Sequence, residues 1–209
     1  MPEKVVLHDD QVARCWWCGT DPLYMAYHDR EWGVPTREDV RLFEKITLEG
    51  FQAGLSWLTI LRKREHFRAA FDAFEFEKIA RYRARKVETL LKDAGIVRHR
   101  GKIESTINNA KRACDMVDEF GSIAAFVWRF EPASETRPAT MDWASLQQMG
   151  QTDASVRLSK ELKKREWSFV GPTTMYAFMQ AMGMVNDHLD GCSARAPRFA
   201  DRTRFAVPK

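Results

Sequence analysis

The sequence predicts an all-α fold. Apolar residues recur at helical spacing in one segment after another, strand-like alternation is nearly absent, and the breaks fall at residues that cap or stop helices. The 209 residues, 44% hydrophobic and 30% charged, suffice for one large domain or two small ones around a shared core.

Residues 1–13 are polar and without period, and read as a flexible arm. Cys15 to Glu38 is dense in Trp, Tyr, Gly and Pro, a composition suited to an ordered loop region. Thr36 with Asp39 reads as a capping box, and Val40, Phe43 and Ile46 carry a helical face up to a break near Gln52 to Leu55. Ser56 is placed to cap the next helix, which carries Leu58, Leu61 and Phe67. A short segment follows over Phe76 to Tyr82. Arg85 to Ala94 is helical, with Gly95 as its expected stop, and Lys102 to Phe120 ends at Gly121. Ser122 caps Ile123 to Phe130. Glu131 to Gly150, rich in Pro, Ser and Thr, reads as a long loop or insertion. Asp153 is placed to cap a basic helix reaching Trp167, and Pro172 stands at the first position of a last strong helix through Met184. Residues 193–209 mix arginine with proline and read as a basic, disordered tail outside a helical domain of residues 14–192.

The net charge of +4 and the pI near 8.9 permit a nucleic-acid partner without requiring one. No stretch approaches 18 uninterrupted apolar residues and no secretory pattern opens the chain, so a cytoplasmic protein with no membrane span is expected. Cys15, Cys18, Cys114 and Cys192 are too few and too scattered for a disulfide framework.

Three constellations bear on chemistry. Cys15 and His28 lie near one end and His188 and Cys192 near the other; the latter pair, four apart, would share a helix face. Two thiolates and two imidazoles are a ligand set for a tetrahedral structural metal, although Cys15 and Cys18 also stand at a metal or redox spacing, and spacing alone does not choose between them. A second group comprises Tyr24, Tyr27, Glu49 and Trp57, with Trp16, Trp17 and Trp32 close by in the sequence. Rings to stack on and a carboxylate to accept from N–H donors are what a pocket for a flat heterocycle needs; the alternative is core aromatics and a solvated helix charge. Third, Ser168 to Thr174 places Gly171, Thr173 and Thr174 at a helix start just after Lys164, an arrangement suited to a phosphate. A second basic joint runs from Ala94 to Lys102.

Together these residues resemble the 3-methyladenine DNA glycosylase I family. The matching runs are Arg14 to Trp17, Asp21 to His28, Glu31 to Pro35, Leu48 to Trp57, Asp93 to Ile103, Phe169 to Pro172, and Phe178 to His188, so that Arg14 to Cys192 is covered and only Glu131 to Gly150 matches poorly. The resemblance implies a helix-hairpin-helix glycosylase fold of two helical lobes with a base pocket between them. It implies one structural zinc held by Cys15, His28, His188 and Cys192, joining the two ends of the domain. It places Trp17, Tyr24, Tyr27, Glu49 and Trp57 in the base pocket, with Glu49 and Tyr27 as the candidate catalytic residues, and Gly54 and Leu55 in the loop that enters the duplex, Leu55 as the wedge. The activity implied is hydrolytic release of 3-methyladenine from alkylated double-stranded DNA by a monomer. Asp187, beside His188, reads as structural. A zinc-stabilised DNA-binding module and a small-molecule hydrolase are the competing readings.

Overall fold

The computed structural model of the protein describes residues 1–208. Eleven α-helices, four single-turn 3-10 helices and one two-stranded ribbon make up the regular structure of the described residues. The ribbon pairs β1 (Val5–Leu7) antiparallel to β2 (Ala13–Cys15), with Val5 opposite Cys15. This corrects the expectation of a loose arm over residues 1–13. The polar residues between the strands close a turn, in which Asp10 Oδ1 accepts from Val12 N and Gln11 N donates to His8 O, and Val5 is buried.

Helix α1 (Pro22–Arg30) is capped by Asp21, whose carboxylate accepts from Leu23 N and Tyr24 N. Helix α2 (Asp39–Gln52) is the centre of the fold, with Leu42 through Phe51 all buried. The Thr36–Asp39 capping box does not form: Thr36 Oγ1 accepts from Glu38 N, and Asp39 instead accepts from Ala124 N. Helix α3 (Trp57–Ala70) starts at Ser56 as its cap. Helices α4 (Phe76–Ile79) and α5 (Ala84–Leu90) are short; α5 stops before Gly95, whose N–H is held by Asp93 Oδ1. Helix α6 (Arg100–Phe120) ends at Gly121 and α7 (Ile123–Val127) begins at Ser122, both as the caps predict. The stretch read as a long loop holds a short helix, α8 (Trp143–Gln147), with Trp143 edge-on to Trp16 at 4.6 Å. Helices α9 (Asp153–Lys164) and α10 (Pro172–Ala181) pack on each other, and α10 also lies against α2. The cap of α9 is Thr152 rather than Asp153, which is the first residue of the helix itself. Phe43, Phe51, Phe67, Phe71, Phe74, Phe126 and Phe178 fill the core these helices enclose.

The tail also departs from expectation. It forms α11 (Arg195–Arg204), which folds back on the body. Arg202 pairs with Glu131, Phe205 packs on Trp128 at 4.6 Å, and Arg195 Nη1 donates to His188 O and Asn186 O. Its polar composition reads as disorder in isolation, but its arginines find carboxylates and carbonyls on the body and cover apolar surface with their stems.

Gly183, just after α10, is where the segment 33–35 approaches most closely. It has φ +69°, and a Cβ there would stand 2.6 Å from Pro35 N and 2.7 Å from Gly33 O. Gly183→Ala is therefore expected to cost at least about 2 kcal/mol in a urea titration. Gly121→Ala, equally left-handed at φ +80° but facing open space, should cost only about 1–2 kcal/mol.

Candidate functional site

The two ends of the domain meet in a buried cluster. Ligand atoms of Cys15, His28, His188 and Cys192 all lie within 4.8 Å of one another. Cys192 Sγ is 3.5 Å from both His28 Nε2 and His188 Nδ1, and Cys15 Sγ is 3.9 Å from His188 Nδ1. His188 and Cys192 reach this point from a turn rather than from one helix face, because the helix has ended at Ala181. Cys18 is buried but outside the cluster, its thiol directed to Cys15 O at 3.2 Å.

The nitrogens facing away from the cluster are held: His28 Nδ1 meets Asp29 Oδ1 at 2.8 Å, and His188 Nε2 meets Trp32 O at 3.3 Å. Each contact places a ring N–H outward and leaves the opposite nitrogen's lone pair facing the thiols, as ligating histidines require. Burial also pushes His188 below its ordinary range, favouring the neutral ring. Asp29 is fixed in turn by Arg14, which forks between Asp29 and Asp10. The four residues can hold a metal ion.

Beside the cluster, and sharing its aromatic wall, lies a cleft of about 350 Å³. Trp17 is 5.0 Å from His28 on one side and 5.2 Å from Tyr24 on the other, while Tyr27 and Trp57 are 5.4 Å apart. Trp17, Tyr24, Tyr27, Glu49 and Trp57 all line this cleft, so the structure brings together the five residues singled out from sequence. Glu49 is buried, against the alternative of a solvated helix charge. Burial raises the Tyr27 phenol well above its ordinary range and keeps it protonated.

Several residues at the cleft were not legible in the sequence. Lys45, one turn before Glu49 on α2, is itself buried; its Nζ is 2.7 Å from Glu49 Oε1, donates to Tyr27 Oη at 2.9 Å and stands 3.2 Å from the Trp57 ring centroid. The (i, i+4) spacing on a buried face was the available signal. Leu146, Gln147 and Met149 supply an opposite wall from the poorly matching segment, and Gln180 lines the cleft from α10. That segment is tied down by Arg137, which bonds Asp187; Tyr176 Oη (2.5 Å) and Gln180 Nε2 (2.9 Å) donate to the same carboxylate. Asp187 is thus buried and saturated with donors.

Leu55, 42% exposed, and Gly54 stand at the tip of the turn joining α2 to α3, next to the cleft-lining Gln52. Lys102 holds the base of that turn: its Nζ donates to Phe51 O (2.8 Å) and Ala53 O (2.7 Å). This removes Lys102 from the basic joint where its charge suggested a phosphate contact. Gly171 begins α10 without a side-chain cap, so the N–H groups of its first turn, at Thr173 and Thr174, keep no such partner. Lys164 is exposed and paired with Glu161.

A family model described as methyladenine glycosylase matches residues 17–196. The chain belongs to the methyladenine glycosylase family. It is similar to the DNA-3-methyladenine glycosylase 1 of Escherichia coli, with 49% identity over 87% of this chain and 96% of that one. It is also similar to the DNA-3-methyladenine glycosylase of Haemophilus influenzae, with 44% identity over 88% of this chain and 98% of that one. A variant of 3-methyladenine DNA glycosylase I solved in complex with 3-methyladenine superposes with a TM-score of 0.79 at 34% identity, covering 87% of this chain and 97% of that one. The part of α11 beyond residue 196 lies outside the methyladenine glycosylase match.

Because Asp187 is fully buried, Arg137→Met should leave an uncompensated carboxylate and destabilise the fold by about 3–5 kcal/mol. Asp187→Asn on that background should restore a large part. Chemical denaturation of the two variants checks this; equal midpoints for Arg137→Met and the parent would remove Arg137 from the network.

Proposed function

We propose that the protein is a monofunctional DNA glycosylase that hydrolyses the N-glycosidic bond of 3-methyladenine in alkylated double-stranded DNA, releasing the base and leaving an abasic site. The observation that carries the reading is the aromatic cleft with Glu49 buried at its wall, in a chain of the methyladenine glycosylase family.

The chemistry follows from the lesion. N3-methylation puts a positive charge on the ring, so when the bond from the sugar to the base breaks, its electron pair goes to the base and neutralises it. Water adds to the sugar cation and gives up a proton. The protein's part is to extrude the nucleotide, at a cost of about a few kcal/mol, and to hold the base. Trp17, Tyr24, Tyr27 and Trp57 supply stacking faces. The Glu49 oxygen not engaged by Lys45 accepts from the base edge. Tyr27, whose oxygen accepts from Lys45, keeps its own proton to donate. Glu49 and Tyr27 are the catalytic residues of this reading; attraction to the cation fades as the base becomes neutral, so Glu49 acts more as selector than as accelerator.

On the DNA side, Leu55 at the exposed turn fills the gap left by the extruded base, with Gly54 allowing close approach. The α9–α10 joint serves as the helix-hairpin-helix: Gly171, Thr173 and Thr174 offer N–H groups to a phosphate and Lys164 adds charge. Cys15, His28, His188 and Cys192 would hold one structural zinc. Two sulfurs and two nitrogens with their outward N–H groups fixed fit a closed tetrahedral site, and zinc there would supply stability rather than a reacting position. We read the protein as a monomer acting in the cytoplasm; no helix of the described residues is long and apolar enough to cross a membrane.

Glu49→Gln keeps the size of the side chain and removes its charge. Affinity for free 3-methyladenine should fall roughly 10- to 150-fold, the worth of one charge-assisted hydrogen bond, while affinity for abasic duplex changes little. Parallel titrations decide it: unchanged base affinity would take Glu49 out of the base site. The purified protein should carry one equivalent of zinc, and Cys192→Ser should lose it together with thermal stability. Stoichiometric zinc in that variant would exclude Cys192 as a required ligand.

A further inference from the structure

Lys45 touches neither the base nor the reacting atoms in the reading above, yet it is a buried cation set directly behind the cleft wall. Its side chain is 7% exposed and that of Glu49 5%. It makes three contacts, each with a residue of the cleft wall: the 2.7 Å ion pair with Glu49, the hydrogen bond to Tyr27, and the 3.2 Å approach to the Trp57 ring. It does not line the cleft. It belongs to a small charged pocket behind the wall that it shares with Glu31, Glu44, Arg41, Arg64 and Arg68, and only Tyr27 and Trp57 border both spaces. Arg64 there is paired with Glu31, and Arg68 with Glu44, which leaves Lys45 and Glu49 to each other.

We infer that Lys45 is a specificity-determining residue, which sets the charge the wall presents to a base. Two effects act in one direction. The ammonium balances the Glu49 carboxylate, so the wall attracts a cationic ring less than a lone carboxylate would. It also faces the Trp57 indole from behind and draws the ring's negative face toward itself, which weakens the attraction of the other face for a cation. Glu49 then selects the cation less strongly than a lone carboxylate would, and hydrogen bonding and stacking carry more of the hold on the base. Removing the ammonium should make the cleft more cation-selective. Lys45 acts through Glu49 and Trp57, without touching the base.

The inference rests on the base cleft proposed above, and its test separates the two. The probes are 3,9-dimethyladeninium, a fixed cation that keeps the ring of the lesion, and free 3-methyladenine at a pH where it is neutral. Both are titrated against the full chain, Lys45→Met and Lys45→Arg. In Lys45→Met the ratio of cation to neutral affinity should rise about tenfold over the parent. Lys45→Arg, which keeps the charge, should return the parent ratio. Equal changes for both probes in Lys45→Met, or a falling ratio, would overturn the inference and leave Lys45 a packing residue. Should Lys45→Met fail to fold, Lys45→Gln carries the same expectation and the same refutation. If the parent binds neither probe, the base cleft itself is wrong and this inference falls with it; if the parent binds both and Glu49→Gln weakens both, the cleft stands and the ratio alone decides Lys45.

Discussion

Cys15 and His188 are separated by 173 positions and meet 3.9 Å apart. A loop of that length is costly to close, and the residues around the meeting point fix it from both sides. The ribbon positions Cys15, α1 delivers His28, and the turn after α10 delivers His188 and Cys192. The same contact organises the cleft. Trp17 follows Cys15 by two residues, Tyr24 and Tyr27 share α1 with His28, and Trp32 packs on His188 at 4.7 Å. A shift of either end of the domain would move one wall of the cleft relative to Glu49, which sits on α2 in the core. Stability of the cluster and geometry of the cleft are one constraint.

Three cations, Lys45 and Lys102 buried and Arg137 half-buried, then set what the framework can do. Lys102 ties the carbonyls at the end of α2, so the turn bearing Leu55 is anchored at its base while its tip stays exposed. Arg137 anchors the opposite wall through Asp187. Lys45 stands behind the aromatic wall. Each is paired with carboxylate or carbonyl oxygens, the condition under which a buried charge is tolerated. They lie around the cleft rather than in it, so that its surface remains apolar apart from a few polar groups such as Glu49, Gln52 and Gln180.

The sequence made the helices legible because they carry strong local signals. Ser56, Ser122 and Gly121 cap where their chemistry demands, and α2 runs on through Gly50 because tertiary burial outweighs that residue's low propensity. The cleft residues and the four-residue cluster were legible as sets of residue types, the choice of Cys15 over Cys18 resting on family resemblance. What was not legible depends on distant partners. The ribbon and α11 look polar and irregular until Asp29, Glu131 and Trp128 are beside them. Lys45 and Lys102 look like ordinary surface lysines, since nothing local reveals that one faces an indole and the other a helix end.

The cluster also imposes an order on the making of the protein. His188 follows Cys15 by 173 positions and Cys192 follows His28 by 164, so the first pair is synthesised well before the second. The helical body between them has to be translated before the four side chains can meet, so its helices must hold their early structure without help from the cluster. A nascent chain stalled before residue 188 would carry two members of a cluster it cannot complete. Closure of the cluster is therefore a late step, taken by a chain whose helical body has already been synthesised.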